Sequence, residues 1–250
     1  MQARSERTRR TLLRAGAEMF HRNGYAKATL AQIAAAAGMT KGALYFHFAS
    51  KEGLADAVQE HGSAMLREYV GERLREGASP VQALVDLTHW LARTLYEDPV
   101  IRAGFRIAAE RGGERPSSAG AAGPWLDEVR LLLARARRAG ELRTDRTWGP
   151  EGPETLLAAT LCGLHVLSAT GIPGPELARR AGALWGPLLS ALVPPGAETR
   201  YRTAPPRTDP ASGHPPGPRT RPGVPGALPD HCRLTTSRRR DADLGVRHAQ

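Results

Sequence analysis

With 250 residues and a formal charge of +10, the chain has room for one or two domains with a sizeable core. The charge is uneven: residues 1–60 hold nine Lys/Arg against five Asp/Glu, residues 61–199 hold sixteen of each, and residues 200–250 hold ten Arg against four Asp. A basic head on a neutral body suits electrostatic attraction of the head to phosphate, while two cysteines, Cys162 and Cys232, argue against a disulfide framework and for a reducing cytoplasm. With no apolar run of about 18 residues, and no apolar segment behind the charged N-terminus, neither a membrane span nor a signal peptide is expected.

The first helix is expected from about Glu6 to Arg22, with Leu12, Ala15, Gly16, Met19 and Phe20 on one face and a stop at Asn23-Gly24. Thr29 and Gln32 have the spacing of a capping box, in which each side chain satisfies an orphan amide of the same turn. Leu30, Ile33, Ala34 and Ala37 follow at helical spacing, and Gly38 stands where a left-handed terminator is wanted. Thr40 can cap a second short helix carrying Lys41 to Tyr45. Helix, tight turn with Gly, short helix is a helix-turn-helix, whose second helix enters the major groove of DNA. Five of the thirteen aromatics lie between residues 20 and 48. A head of about 50 residues needs such groups for a core, so Phe20, Phe46 and Phe48 are expected inside.

Ser50 can cap a long helix to about Glu76, which would run as the rigid link from the head into the body. Prolines then open the later helices, where a missing amide hydrogen costs little: Ser79-Pro80 to about Glu97, Asp98-Pro99 to about Glu110, and Pro124 to Ala139. Two apolar helices follow, about 153–170 and 175–193, and residues 112–123 read as a loop. The expected fold is all-α, with about nine helices. The expected divisions are a helix-turn-helix domain at 1–50, a neutral all-helical domain at 51–195 whose apolar stripes suit ligand binding, dimerisation or both, and a Pro/Arg-rich tail at 196–250. Eleven of the twenty prolines fall in 194–250, with very few large apolar groups, so disorder is expected there. The tail reads as a neutral extension rather than a nucleic-acid arm.

The string TKGALYFHF with SKE behind it, and RTRRTLLRAGAEMFHRNGYAKATL upstream, resembles the signature of the TetR family of transcriptional regulators over roughly residues 5–60. The resemblance implies double-stranded, palindromic operator DNA as partner and a homodimer built on the last two helices. Its DNA contacts would fall on Thr29 and Thr40 at helix N-termini, on Lys41, Gly42 and Ala43 facing the groove, and on Tyr45, His47 and Lys51 against phosphates. Arg4, Arg7, Arg9 and Arg10 form a basic arm that either follows a phosphate track or is a solvated helix start.

A narrower resemblance covers DPVIRAGFRIAAERG and PWLDEVRLLLARARRAGEL, which look like the γ-butyrolactone autoregulator receptors. It implies a small lipophilic effector that releases the DNA, covered by Trp125, with Val85, Thr88, Phe105 and Val129 as further candidate contacts. Ile107-Ala108 and His165 depart from that subfamily's pattern. Hence a receptor-like paralogue answering an antibiotic or another ligand stays open, as does a non-specific nucleic-acid-binding protein. No enzyme is expected, since G-x-S-x-G, G-x-x-x-x-G-K and H-E-x-x-H are missing. Cys162 and His165 lie three apart on one helix face, but with no second pair nearby they read as core, so no metal or cofactor is expected.

Overall fold

The computed structural model describes residues 2–111, 123–143, 149 and 151–206. Nine α-helices occur among them: α1 (Gln2–Asn23), α2 (Leu30–Ala36), α3 (Lys41–His47), α4 (Lys51–Arg75), α5 (Pro80–Glu97), α6 (Pro99–Arg111), α7 (Gly123–Arg138), α8 (Gly152–Ala169) and α9 (Gly174–Leu192). A 3-10 turn at Glu198–Arg200 follows. No strand is present among the described residues.

The short helices form where the local chemistry directs them. Thr29 Oγ1 accepts from the Gln32 amide at 3.3 Å, while Gln32 Oε1 accepts from the Thr29 amide at 3.1 Å, completing the capping box. Gly38 then adopts φ +66°, and Met39 N donates back to Ala34 O at 2.9 Å, closing α2 with a left-handed residue that costs glycine nothing. Thr40 Oγ1 accepts from Ala43 N at 3.1 Å and Ser50 Oγ from Gly53 N at 3.0 Å, starting α3 and α4.

Two apolar clusters result. The first joins Leu12, Phe20, Ile33, Leu44, Phe48, Leu54 and Val58 to Val100, Ala103 and Ile107 of α6. The head therefore completes its core with a helix that the sequence places in the body. The second cluster packs α5 against α7, α8 and α9 around Leu84, Leu91, Val129, Leu161 and Trp185. The basic arm is the first part of α1; only Arg9 turns inward, with its guanidinium 5.3 Å from the Phe48 ring centroid.

The segment after Val193 differs from expectation as far as Pro206. Arg202 Nη2 donates to Asp86 Oδ1 at 3.0 Å, Gln82 and Arg202 exchange backbone-to-amide hydrogen bonds at 2.9 and 3.1 Å, and Thr203 O lies 2.7 Å from His89 Nε2. Arg202 and Thr203 are thus tied to α5. The remainder of the expected tail, 207–250, and the loop expected at 112–123, except Gly123, lie outside the described residues.

Candidate DNA-reading face and effector site

Leu44 is fully buried and anchors α3 in the head core, with Phe48 beside it. The rest of α3 is presented outward: Lys41, Gly42 and Tyr45 are exposed, and Ala43 and His47 are half-buried. Thr29 and Thr40, both exposed, stand at the N-termini of α2 and α3 with their hydroxyls engaged in capping. Seven of the eight expected DNA contacts thus lie on the surface formed by α3 and the two caps.

Lys51 is placed differently. Its ammonium donates to Tyr25 O at 3.0 Å and Ala26 O at 3.2 Å and lies 4.5 Å from the Tyr25 ring centroid. Half-buried, it clamps the turn between α1 and α2, and two of its three hydrogens are committed there. Tyr25 in turn donates from its hydroxyl to Glu52 Oε1 at 2.9 Å. Burial, followed by the bond to Glu52, pushes the Tyr25 phenol up.

Phe46 is a correction. Expected in the core, it is 81% exposed, with the His47 ring perpendicular to it at 5.2 Å between centroids. Helical geometry explains this: two residues along α3 from Leu44 is about 200° around the axis, so Phe46 faces away from the core. Phe20 and Phe48 are buried as expected.

The sequence also gave no signal for the role of α6 at the head. Arg106 Nη1 donates to His21 O at 2.6 Å, Glu110 Oε2 accepts from Ala26 N at 3.1 Å, and Arg111 Nη1 donates to Asp56 Oδ1 at 2.6 Å. Arg111 also sits over Tyr25, 5.4 Å from its centroid. Together α4 and α6 hold α1, so the long helix is one of two links rather than the sole one. His21, half-buried at this junction, is lowered to about 4, first by burial and then by the positive fields of Arg102 and Arg106. Ile107 belongs to this head cluster, so that departure from the receptor pattern bears on the junction.

In the body, Val85, Thr88, Phe105, Trp125 and Val129 are all buried. Thr88 Oγ1 donates to Val85 O at 2.8 Å and accepts from Trp185 Nε1 at 2.6 Å, which fastens α5 to α9. Trp125 and His165 each stack on Phe105 at 4.9 Å between centroids. The Trp125 ring edge lies where α4 and α6 both carry glycine; a Cβ on Gly62 or Gly104 would stand 3.2 Å from it. Trp125 Nε1 and His165 Nδ1 are buried with no hydrogen-bond partner in the protein. Burial holds the His165 imidazole below its ordinary range, so both rings offer neutral polar atoms in an apolar, aromatic setting. Unmet buried polar atoms cost about 1–3 kcal/mol each, and a small molecule with matching groups would recover that. Cys162 is exposed while His165 stacks inward, and no group of three or more His, Cys, Asp or Glu among the described residues is arranged to hold a metal.

Comparison with known proteins agrees with this architecture. Residues 12–58 match the family model described as bacterial regulatory proteins, tetR family. The chain is 31% identical over 198 residues to the A-factor receptor protein of Streptomyces griseus, spanning 78% of this chain and 67% of that one. A γ-butyrolactone receptor, an ArpA-like protein, superposes with a TM-score of 0.62 at 34% identity, covering 79% of this chain and 94% of that one. CprB from Streptomyces coelicolor, solved in complex with its biological operator sequence, gives a TM-score of 0.62 at 36% identity with the same coverage.

The chain belongs to the TetR family of bacterial transcriptional regulators. It is a DNA-binding regulator related to the γ-butyrolactone receptors.

Proposed function

We propose that the chain is a homodimeric repressor that holds a palindromic operator through the exposed face of α3 and releases it to a small lipophilic effector of the γ-butyrolactone class, in the cytoplasm. The observation that carries the effector reading is the pair of orphaned atoms, Trp125 Nε1 and His165 Nδ1, on rings that stack on Phe105. A lactone carbonyl suits the indole N–H, and an acyl tail suits the apolar residues around it, each buried methylene contributing roughly 0.8 kcal/mol.

Dimerisation is supported by the outer side of α8 and α9. Residues 155–170 and 181–193 contain no Asp, Glu, Lys or Arg, yet Val166 is 61% and Leu184 41% exposed. Two-fold pairing across this uncharged face would set two α3 helices about 34–36 Å apart, one turn of DNA.

The test is a band-shift titration on a duplex recovered by selection from a randomised pool, run with a panel of γ-butyrolactones while tryptophan fluorescence is followed. A member of the panel should quench fluorescence and free the duplex, and Trp125→Phe, which keeps the stack but lacks the N–H, should need at least tenfold more lactone. Absence of both quenching and release across the panel sinks the lactone reading and leaves the paralogue reading, an effector of another class.

A further inference from the structure

Gly42 and Phe46 are one turn apart on α3, on the side opposite Leu44. Neither is explained by the fold. Phe46 is the most exposed of the large apolar side chains among the described residues. Gly42 has no backbone reason to be glycine, because its φ is not in the left-handed region and an added Cβ would meet nothing closer than Thr40 Oγ1 at 4.0 Å. Gly42 is the second residue of α3, where glycine costs part of the about 1 kcal/mol it loses to alanine in a helix interior, and an exposed phenyl leaves its apolar area in water. Both features become favourable when another surface comes close: the missing side chain lets the helix backbone approach, and the ring gains an apolar neighbour.

The surface that fits is the major groove. Lys41 flanks the pair on α3 and, like Tyr45, is exposed, so the free side of α3 carries a cation and a phenol beside the phenyl ring. A phenyl ring offers no hydrogen bond to a phosphate or a base edge. The apolar group displayed in the major groove is the C5-methyl of thymine. We propose that Phe46 is a specificity-determining residue that reads a thymine methyl in each half-site, with Gly42 allowing the approach that brings the ring into contact. The inference rests on docking through α3.

The test separates the two. A duplex selected by the full chain from a randomised pool is remade with each thymine in turn replaced by deoxyuridine, which removes only the methyl, and binding is followed by fluorescence anisotropy. One thymine per half-site should be methyl-sensitive in the parent, by about fourfold, the equivalent of one buried methyl group. Phe46→Ala should bind the parent duplex more weakly and show no difference between thymine and deoxyuridine at that position, so that the two changes are non-additive. Tyr45→Ala should weaken every duplex while keeping the methyl effect, and Lys41→Ala should relax preference at a different base pair. The proposal is overturned if no thymine is methyl-sensitive, or if Phe46→Ala keeps the full sensitivity, which would assign the methyl to Ala43. Unchanged binding by both Tyr45→Ala and Lys41→Ala would instead sink docking through α3 itself.

Discussion

At the scale of single residues, the docking proposed for α3 sets DNA binding against fold stability at Gly42. Gly42 weakens its helix, and no neighbouring group in the protein explains it. Gly42→Ala should therefore stabilise the free protein by up to about 1 kcal/mol, a rise of roughly 2–4 °C in Tm for a chain of this size. The same methyl group, placed between the helix and the groove floor, should lower operator affinity at least tenfold. Thermal melting and anisotropy on one preparation check both directions, and a variant that gains affinity along with stability would remove the reason offered for this glycine. Phe46 follows the same logic: aromatic content near a small core suggested burial, but its angular position on α3 sends it outward. The spacing from Leu44 was legible in the sequence, and aromatic character alone was the misleading signal.

At the scale of elements, the division between body and tail falls later than proline content suggests. Asp86 is fully buried on α5 and accepts from Arg73 Nε at 3.0 Å, Gln82 Nε2 at 3.0 Å and Arg202 Nη2 at 3.0 Å. Arg73 also pairs with Glu76, and the Tyr69 hydroxyl donates to Asp86 O at 3.2 Å. Around Glu141 a second junction forms, its Oε2 accepting from Ser79 Oγ and Val81 N at 2.9 Å each. The 201–203 segment thus supplies one partner of a buried carboxylate and one of His89. A chain ending after residue 206 should melt like the parent. One ending after residue 199 loses the Arg202 and Thr203 contacts and should lose about 1–3 kcal/mol, the cost of leaving buried polar groups underserved. Equal melting temperatures for the two truncations would show that these contacts add nothing. This division was invisible in the sequence because Arg202 finds its carboxylate 116 residues away.

At the scale of the whole molecule, the head and body share α4 and α6, and Trp125 sits against a glycine of each. An effector that moves the Trp125 ring would alter the contact between the two helices that hold α1. Moving such a switch from 1:99 to 99:1 needs about 5.5 kcal/mol of differential affinity, within reach of a lactone whose tail buries several methylenes. The same junction makes stability depend on pH. His21 is lowered to about 4 from an ordinary value of 6.5 by burial, then by Arg102, Arg106, His165 and Arg22, and burial lowers His89 and His165 as well. The unfolded chain therefore binds more protons than the folded one between about 6.5 and 4. Stability is complete above 6.5 and falls as pH drops through that window. Melting curves should shift downward from pH 7 to pH 5, and His21→Gln should flatten the slope; a slope unchanged in that variant would place the effect on the other two histidines.

The sequence by itself determined the capping box at Thr29 and Gln32, the left-handed Gly38 and the capped starts of α3 and α4, because caps and turns act over three or four residues and are written in adjacent letters. The family was legible through the resemblance of the 5–60 string, while the first helix begins at Gln2, ahead of the expected Glu6. The free side of α3 was misjudged at Phe46, where aromatic content pointed inward and the two-residue spacing from Leu44 points outward. Tertiary structure alone decided that α6 completes the head core, that Lys51 clamps the Tyr25 turn, that Thr88 is bonded to Trp185, and that Trp125 and His165 converge on Phe105. Those partners are separated along the chain by 20 to 97 residues. Their meeting is set by how apolar helix faces share a core, and helix packing leaves no local signature in sequence.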